Sequence, residues 1–401
     1  MKPFASVFTA CLLVSAVAVA AERKAEPVVD MNKIVYDVKD PALAKTWKES
    51  KIFEKVMAQG AKIDSKGQFY ISTARWAGRE MPATLSRLVK KGDGWVLQAF
   101  PSEEMNDPAN PKGLKAVLGF EIDRNDVMWI LDQGKIAGAP TKQGDEKIVL
   151  WDLKTNKEIQ RYEFTNEESD HKCSFLNDVV VDNDSSFAYI PDSGIFCDPT
   201  AGGFIVYDSK ANKVRRVLDR TKFTIADPNF FFNMFHNTGN AEVTTAGPMK
   251  TGPDGVALSG DKKTLYWTNL TGNILYSLDT ALLRDFTVPE PVLQAAVKQV
   301  AVLPSNTDGM TADREGNIYM TALTLDGLMK YDPRRNTLER FVHDPAMVWP
   351  DTLSWGADGS LYVISDHLNV FVDGDMNFDN PPVPNFRIWK IPNVGTAYTA
   401  P

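Results

Sequence analysis

The chain has 401 residues, of which 43% are apolar, so it can bury a large core in two or three domains or in one repeat fold. Its formal net charge of −8 argues against nucleic acid and anionic lipid surfaces as partners.

The first twenty residues have a basic residue, Lys2, near the start, continue with an apolar run and end in Ala18-Val19-Ala20. This pattern is typical of a cleaved secretory signal, so we expect a secreted or periplasmic protein. A lipoprotein signal ending at Cys11 is an open alternative, although the apolar stretch continues past that residue. No other segment approaches the roughly twenty apolar residues of a membrane span, so we expect no membrane association.

A phrase of one apolar strand, a polar turn and a second apolar or aromatic strand recurs six times along the chain. The six copies span residues 61–73, 119–131, 177–191, 254–268, 308–321 and 351–365. Two further strands follow each copy, except that the last copy lacks an outer strand. The stretch Lys33–Lys39, "KIVYDVK", is the predicted replacement, and it would close the ring without leaving an open sheet edge.

The sequence therefore predicts an all-β, six-bladed β-propeller closed by an N-terminal strand. The expected divisions are a signal peptide at 1–20, a lead at 21–32, the propeller at 33–392 and a tail at 393–401. Short helices are expected within Pro41–Ala58 and Asp279–Ala296.

In such a propeller the residues just before each innermost strand form a ring at one mouth of the axial channel. They are Gln59-Gly60, Gly119, Asn177-Asp178, Asp254-Gly255, Asp308-Gly309 and Asp351. Crowded carboxylates raise each other's pKa unless a cation lies between them, and hard oxygen ligands suit calcium or another divalent ion. The predicted metal ligands are Gln59, Asn177, Asp254 and Asp308. The alternative is that each acid simply caps its own turn.

Several phrases resemble the core motifs of the major royal jelly protein and yellow family, from about Val35 to Pro392. They are "LNDVVVD", "FAYIPD", "FIVYD", "WPDTLSWGADGSLYVISDHL" and "NFRIWKI". The resemblance implies a secreted six-bladed propeller. It leaves the activity open, because the family's insect members include dopachrome-converting enzymes, nutritive proteins and salivary binders of biogenic amines.

A weaker resemblance connects the ring to the senescence marker protein and gluconolactonase group of calcium-dependent propellers. In that group a Glu, two Asn and an Asp hold the metal. Asn177 and Asp308 match these positions, whereas Asp254 stands in place of an Asn and Gln59 in place of the Glu.

The second strand of each blade ends at the same mouth, which adds candidates for substrate binding and proton transfer. Arg75, Trp76 and His367 are candidates to bind an aromatic or anionic substrate, and His367 is also a candidate for proton transfer; the alternative is that each is an ordinary surface or packed residue. The other strand ends are Asp132, Asp192, Asn269 and Asp366. The insert 221–250, rich in Phe230, Phe231, Phe232 and Phe235, is a candidate lid that would bring His236 near the opening.

Cys173 and Cys197 remain after signal cleavage, and in an exported protein a disulfide between them is expected; the alternative is two buried thiols.

Two functions fit this pattern. In the first, a divalent cation polarises a lactone-like carbonyl, with Asp308 as ligand or base and Asp351 or His367 transferring protons. In the second, the acidic funnel captures a small cationic or aromatic molecule without turnover. In either case the partner is a small molecule and we expect a monomer.

Overall fold

The computed structural model describes residues 22–230, 250–372 and 374–400, together with the backbone of two short strands at 236–237 and 242–243. The expected signal peptide and Phe231, Phe232 and Phe235 of the candidate lid lie outside the described residues.

The described residues form six four-stranded antiparallel sheets arranged as the blades of a propeller. The N-terminal strand is β1 (Glu26–Met31). Blade one contains β2 (Gly60–Ile63), β3 (Phe69–Ser72), β4 (Leu85–Lys91) and β5 (Gly94–Ala99). Blade two contains β6 (Val117–Ile122), β7 (Val127–Asp132), β8 (Lys147–Asp152) and β9 (Lys157–Glu163). Blade three contains β10 (Val180–Asp182), β11 (Phe187–Asp192), β12 (Gly203–Asp208) and β13 (Lys213–Val217).

The insert after blade three carries a two-stranded ribbon, β14 (His236–Asn237) and β15 (Glu242–Val243). Blade four contains β16 (Pro253–Leu258), β17 (Thr264–Asn269), β18 (Ile274–Asp279) and β19 (Lys298–Val302). Blade five contains β20 (Met310–Ala312), β21 (Ile318–Ala322), β22 (Gly327–Asp332) and β23 (Thr337–His343). Blade six contains β24 (Pro350–Trp355), β25 (Leu361–Ser365) and β26 (Phe386–Ile391), and β1 completes it. The predicted fold class is confirmed.

The helices are short and lie at blade edges. They are α1 (Pro41–Glu49), α2 (Thr280–Arg284), α3 (Glu290–Ala296) and α4 (Leu368–Val372). The first three fall within the two segments predicted to hold short helices. None of the helices in the described ranges is both long and apolar enough to cross a membrane.

The ring is closed by an N-terminal strand, but the predicted segment is wrong. The closing strand is β1, which pairs antiparallel with β26 from Met31 opposite Phe386 to Glu26 opposite Lys390. Lys33–Lys39 instead follows the outer edge of blade one, where Tyr36 bridges to Leu97. Both segments alternate buried and exposed side chains, so periodicity alone could not distinguish them.

The recurring aspartate at the end of the innermost strands has a structural role. Asp64 Oδ1 accepts hydrogen bonds from the backbone N–H groups of Lys66 and Gln68, each at 2.9 Å. Asp123 and Asp313 accept equivalent bonds from the residues that follow them. Four of the six blades have an aspartate at this position, including Asp182, whereas blade four has Ser259 and blade six has Gly356. The phrase recurs because most blades close their first hairpin through the same side chain.

Two glycines let the innermost strands approach one another at the axis. A Cβ atom on Gly119 would lie 2.2 Å from the carbonyl oxygen of Asn177, and one on Gly309 would lie 2.1 Å from that of Asp351. A larger residue at either position would push neighbouring blades apart. These glycines therefore bring the residues before neighbouring innermost strands close together.

The other end of the axis is covered by the C-terminal segment. Tyr398 is buried, its N–H donates to the Ala312 carbonyl, and its hydroxyl accepts a 3.4 Å hydrogen bond from the N–H of Val181. Burial, reinforced by the nearby charges of Glu121 and Asp178, raises the pKa of this phenol. The segment thus reaches the axis from the face opposite the acidic mouth.

Candidate functional site

The ring predicted from the sequence lines one cavity at a mouth of the propeller axis. The cavity has a volume of about 640 Å³. Every blade contributes a residue from just before or at the start of its innermost strand: Gln59, Gly119, Asn177, Asp178, Asp254, Asp308 and Asp351. The structure therefore brings together all four predicted metal ligands and two of the three predicted catalytic residues.

Asp254 and Asp308 form a pair of interacting carboxyl groups in this cavity. Both side chains are buried, and the two carboxyl groups hydrogen-bond each other. Burial raises the pKa of Asp254 well above its ordinary value, and the charge of Asp308 raises it further. Burial also raises the pKa of Asp308 to about 6, although Trp349 Nε1 donates to its Oδ2 at 2.7 Å. Their proximity and burial thus disfavour the ionisation of both carboxyl groups at once.

Two further acids enlarge the cluster. Burial raises the pKa of Asp351 well above its ordinary value, and the charges of Asp308, Asp366 and Asp254 add to that effect. Asp366, at the end of β25, is fully buried, and its pKa is raised by burial and then by Asp308. Four carboxyl groups therefore oppose each other's ionisation at one end of the axis.

Lys62 supplies a positive charge inside the channel. Its Nζ lies 3.0 Å from Glu121 Oε2 and 3.0 Å from the carbonyl oxygen of Leu353. Burial raises the pKa of Asp178, and the positive charge of Lys62 partly offsets this increase. The negative charge of Asp351 in turn contributes to raising the pKa of Lys62. Lys62 therefore interacts both with the acids of the mouth and with Glu121 deeper in the channel.

The amides of Gln59 and Asn177 complete the oxygen-rich end of the cavity. Gln59 is 3% exposed, and its Oε1 has no hydrogen-bond partner among the described residues. Asn177 Nδ2 donates to Ser193 Oγ at 3.2 Å, and the same side chain hydrogen-bonds Asp254. Within the described ranges no three histidine, cysteine, aspartate or glutamate side chains are arranged to hold a metal ion. A cation here would therefore depend on amide oxygens as well as carboxylates.

One wall of the cavity is aromatic. The ring centroids of Trp76 and Phe175 are 6.3 Å apart, and those of Phe175 and Phe196 are 5.8 Å apart. Ile195 and Leu118 extend this apolar wall, and all five side chains line the cavity. A flat apolar group could lie against this wall while a polar group faces the acids.

The predicted disulfide between Cys173 and Cys197 is present, with the two Cα atoms 4.5 Å apart. The two cysteines flank the aromatic wall, because Phe175 follows the first and Phe196 precedes the second. Sequence analysis did not assign these two rings to the site, although their position beside the cysteines was a usable signal.

Several residues predicted to bind substrate do not line the cavity. Arg75 is fully buried, and its guanidinium donates to the backbone carbonyls of Arg79, Met81 and Asn106. Asp132 accepts from the N–H groups of Lys115 and Ala116 and forms an ion pair with Lys147 at 2.8 Å. Both side chains hold loops together instead of facing the opening.

Of the remaining residues predicted to bind substrate or transfer protons, only some line the cavity. Asp192 accepts from the N–H groups of Phe175 and Gly194 and pairs with Arg216 at 2.8 Å. Asn269 donates to the Ile225 carbonyl, and His367 is buried just before α4. Trp76 does line the cavity. The side chain of His236 lies outside the described residues.

Comparison with known proteins identifies the family. The family model described as "Major royal jelly protein" matches residues 116–396. The chain belongs to the major royal jelly protein family. Major royal jelly protein 3 of Apis mellifera is 22% identical over 338 residues, covering 77% of this chain. Protein yellow of Drosophila melanogaster is 24% identical over 349 residues, covering 81% of it.

The matches span 58% and 60% of the lengths of these two relatives. Among solved structures, one named as a candidate gluconolactonase has a TM-score of 0.51 at 12% identity, with 94% of each chain covered. A gluconolactonase of Xanthomonas campestris has a TM-score of 0.49 at 14% identity, covering 92% of this chain and 98% of that one. At 12% identity the likeness to the first of these structures shows the fold alone.

Proposed function

We propose that this royal jelly family member is an exported hydrolase that binds a divalent cation at the axial mouth and cleaves a small lactone or ester. The observation that carries the proposal is the buried pair of Asp254 and Asp308 in the cavity. Their side chains hydrogen-bond each other, and the pKa of each is raised. Perturbed carboxyl pairs of this kind are typical of catalytic and cation-binding sites.

The residues at the mouth fit a divalent cation. Gln59 Oε1 is a buried acceptor without a hydrogen-bond partner among the described residues, and a cation would satisfy it. Gln59, Asn177, Asp254 and Asp308 would hold the ion, and all four offer the oxygen ligands that calcium prefers. When bound, such an ion polarises a carbonyl oxygen and favours attack on the carbonyl carbon.

The chain's own acids supply the proton transfers. With a pKa of about 6, Asp308 is ionised at neutral pH and can accept a proton from an attacking water. Asp351, whose pKa is raised by burial and by the neighbouring acids, is the group placed to donate a proton to the leaving oxygen. The new bond joins the water oxygen to the carbonyl carbon, the carbon–oxygen ester bond breaks, and the two proton transfers balance.

A second function is favoured by the aromatic wall. Trp76, Phe175 and Phe196 face the same cavity as the carboxylates, so an aromatic amine could place its ring on the wall and its ammonium group among the acids. This arrangement suits an amine-binding protein or an isomerase acting on a dopachrome-like ring.

Export is part of the proposal. The signal-like start of the chain and the Cys173–Cys197 bridge both suit an oxidising compartment. The acidic composition gives no reason to expect nucleic acid as a partner.

The test is a hydrolysis panel of dihydrocoumarin, δ-valerolactone and phenyl acetate, measured with calcium, with manganese and with a chelator. The proposal expects turnover that a chelator abolishes and that Asp308→Asn lowers at least about a hundred-fold. Asp93→Asn, an exposed matched control, should leave the rate unchanged.

The same protein is then titrated with benzylammonium and dopamine and assayed for dopachrome conversion. Absence of any cation-dependent hydrolysis, together with amine binding that a chelator leaves intact, would replace the hydrolase with a binding protein. Conversion of dopachrome without lactone cleavage would instead favour the isomerase.

A further inference from the structure

The Phe196 side of the aromatic wall has little apolar packing to hold it in place. Phe196 is 41% exposed even though it lines the cavity, and its ring contact is with Phe175. On its other side lie Gly138 and, at 5.7 Å from the ring centroid, the ammonium of Lys135. Burial alone therefore stabilises this ring position weakly.

The two rings differ in how their backbones are held. Asp192 accepts a hydrogen bond from the N–H of Phe175 at 2.7 Å and one from the N–H of Gly194 at 3.0 Å. Arg216 forms an ion pair with the same carboxylate. The hydrogen bonds of Asp192 therefore hold the backbone at residues 175 and 194, but none of them reaches residues 195–200. The segment 195–200 starts where these contacts end.

Beyond residue 194, the N–H of Cys197 donates to the Gly194 carbonyl at 3.0 Å, and the disulfide is attached at the same residue. Cys197 directly follows Phe196, and Cys173 precedes Phe175 by two residues, so the bridge ties the Phe196 backbone to the segment that carries Phe175. We infer that Cys173 and Cys197 are positioning residues for ligand selectivity, which hold Phe196 against Phe175 as part of the cavity wall. The bridge therefore acts on the shape of the cavity more than on the stability of blade three.

The first arm of the test uses hydrogen exchange on the full mature chain and needs no ligand. The double variant Cys173→Ser/Cys197→Ser is compared with the oxidised wild type. Faster exchange confined to residues 194–200, with β10, β11 and β12 unchanged, is the expected result. Unchanged exchange at 194–200 would overturn the inference, and so would faster exchange throughout blade three, which would make the bridge a general stabiliser.

The second arm measures selectivity, and it rests on the proposed hydrolase function. The ratio of kcat/KM for dihydrocoumarin to that for δ-valerolactone reports on the aromatic wall, because only the first substrate carries an aromatic ring. Loss of one aromatic contact is expected to lower this ratio about five-fold, through KM, in Phe196→Ala and in the double serine variant alike. Ile159→Ala removes an exposed apolar side chain from β9 and should not change it.

The decisive comparison combines the two changes. If the bridge acts through Phe196, adding Phe196→Ala to the double serine variant should lower the ratio no further. Effects that multiply, to about twenty-five-fold, would show that the bridge and the ring act separately and would overturn the inference. A wild type that cleaves neither lactone and does not hydrolyse phenyl acetate refutes the proposed function instead, and hydrogen exchange then decides the role of the bridge.

Discussion

Replacing Asp308 by Asn should make the cation-free protein more stable at neutral pH, although it alters a buried site. The amide oxygen of Asn can still accept the hydrogen bond from Trp349 Nε1, and its NH₂ group can donate to Asp254. The substitution removes one of the four carboxyl groups that oppose each other's ionisation. Hydrogen bonding is thus retained while repulsion falls.

The magnitude follows from the shift of Asp308. Its pKa rises from 3.8 to about 6 on folding. At about 1.4 kcal/mol per pKa unit, ionising it at neutral pH costs the folded state about 3 kcal/mol. Because the folded pKa is raised, this stability is fully present below pH 4 and is lost as the pH rises through 6. In a chain of this length the cost corresponds to about 4 °C in Tm.

The assay is thermal unfolding in chelator between pH 4 and pH 7.5. Relative to wild type, Asp308→Asn should melt about 4 °C higher at pH 7.5, and its Tm should fall less between pH 4 and pH 6. Asp313→Asn is the matched control, because Asp313 accepts from Tyr319 and Asn317 at a hairpin and should lower Tm at every pH. A less stable Asp308→Asn protein at pH 7.5, with an unchanged pH slope, would refute the reasoning.

Three further predictions concern closure, a buried arginine and the predicted ligand set. Deleting residues 26–31 exposes the edge of β26 and should cause aggregation or a loss of several kcal/mol; a truncated protein with an unchanged urea midpoint would contradict closure by β1. Arg75→Met leaves three carbonyls without their donor, so it should lower the free energy of unfolding in urea by about 3 kcal/mol and leave cation affinity unchanged. Weaker cation binding in this variant would instead place Arg75 at the site. Gln59→Glu adds a carboxylate and should tighten calcium binding about ten-fold by calorimetry; unchanged affinity would remove Gln59 from the ligand set.

The architecture was predictable because its signals are local and repeated. An aspartate in the first hairpin of four blades, as at Asp64 and Asp123, caps a turn through nearby backbone, and the recurring strand–turn–strand phrase revealed six blades directly. The cavity ring followed from the same repeat, since residues before equivalent strands must meet at one mouth. Gln59 and Asp308 were found in this way.

What the sequence did not reveal depends on contacts between distant segments. Residues 26–31 and 33–39 have similar strand patterns, and only the packing of β26 selects the first. Arg75 and Asp192 end second strands like true mouth residues, yet neighbouring loops bury them. Trp349 contacts Asp308 across blades, and no pattern in its own segment indicates that contact.

The central claim is that the axial carboxylates hold a divalent cation, and metal analysis after equilibrium dialysis against calcium tests it most directly. The account predicts a single calcium ion per wild-type chain and none in the Asp254→Asn/Asp308→Asn double variant, with both proteins folded by circular dichroism. Wild type without calcium, or an equal content in both proteins, would contradict it.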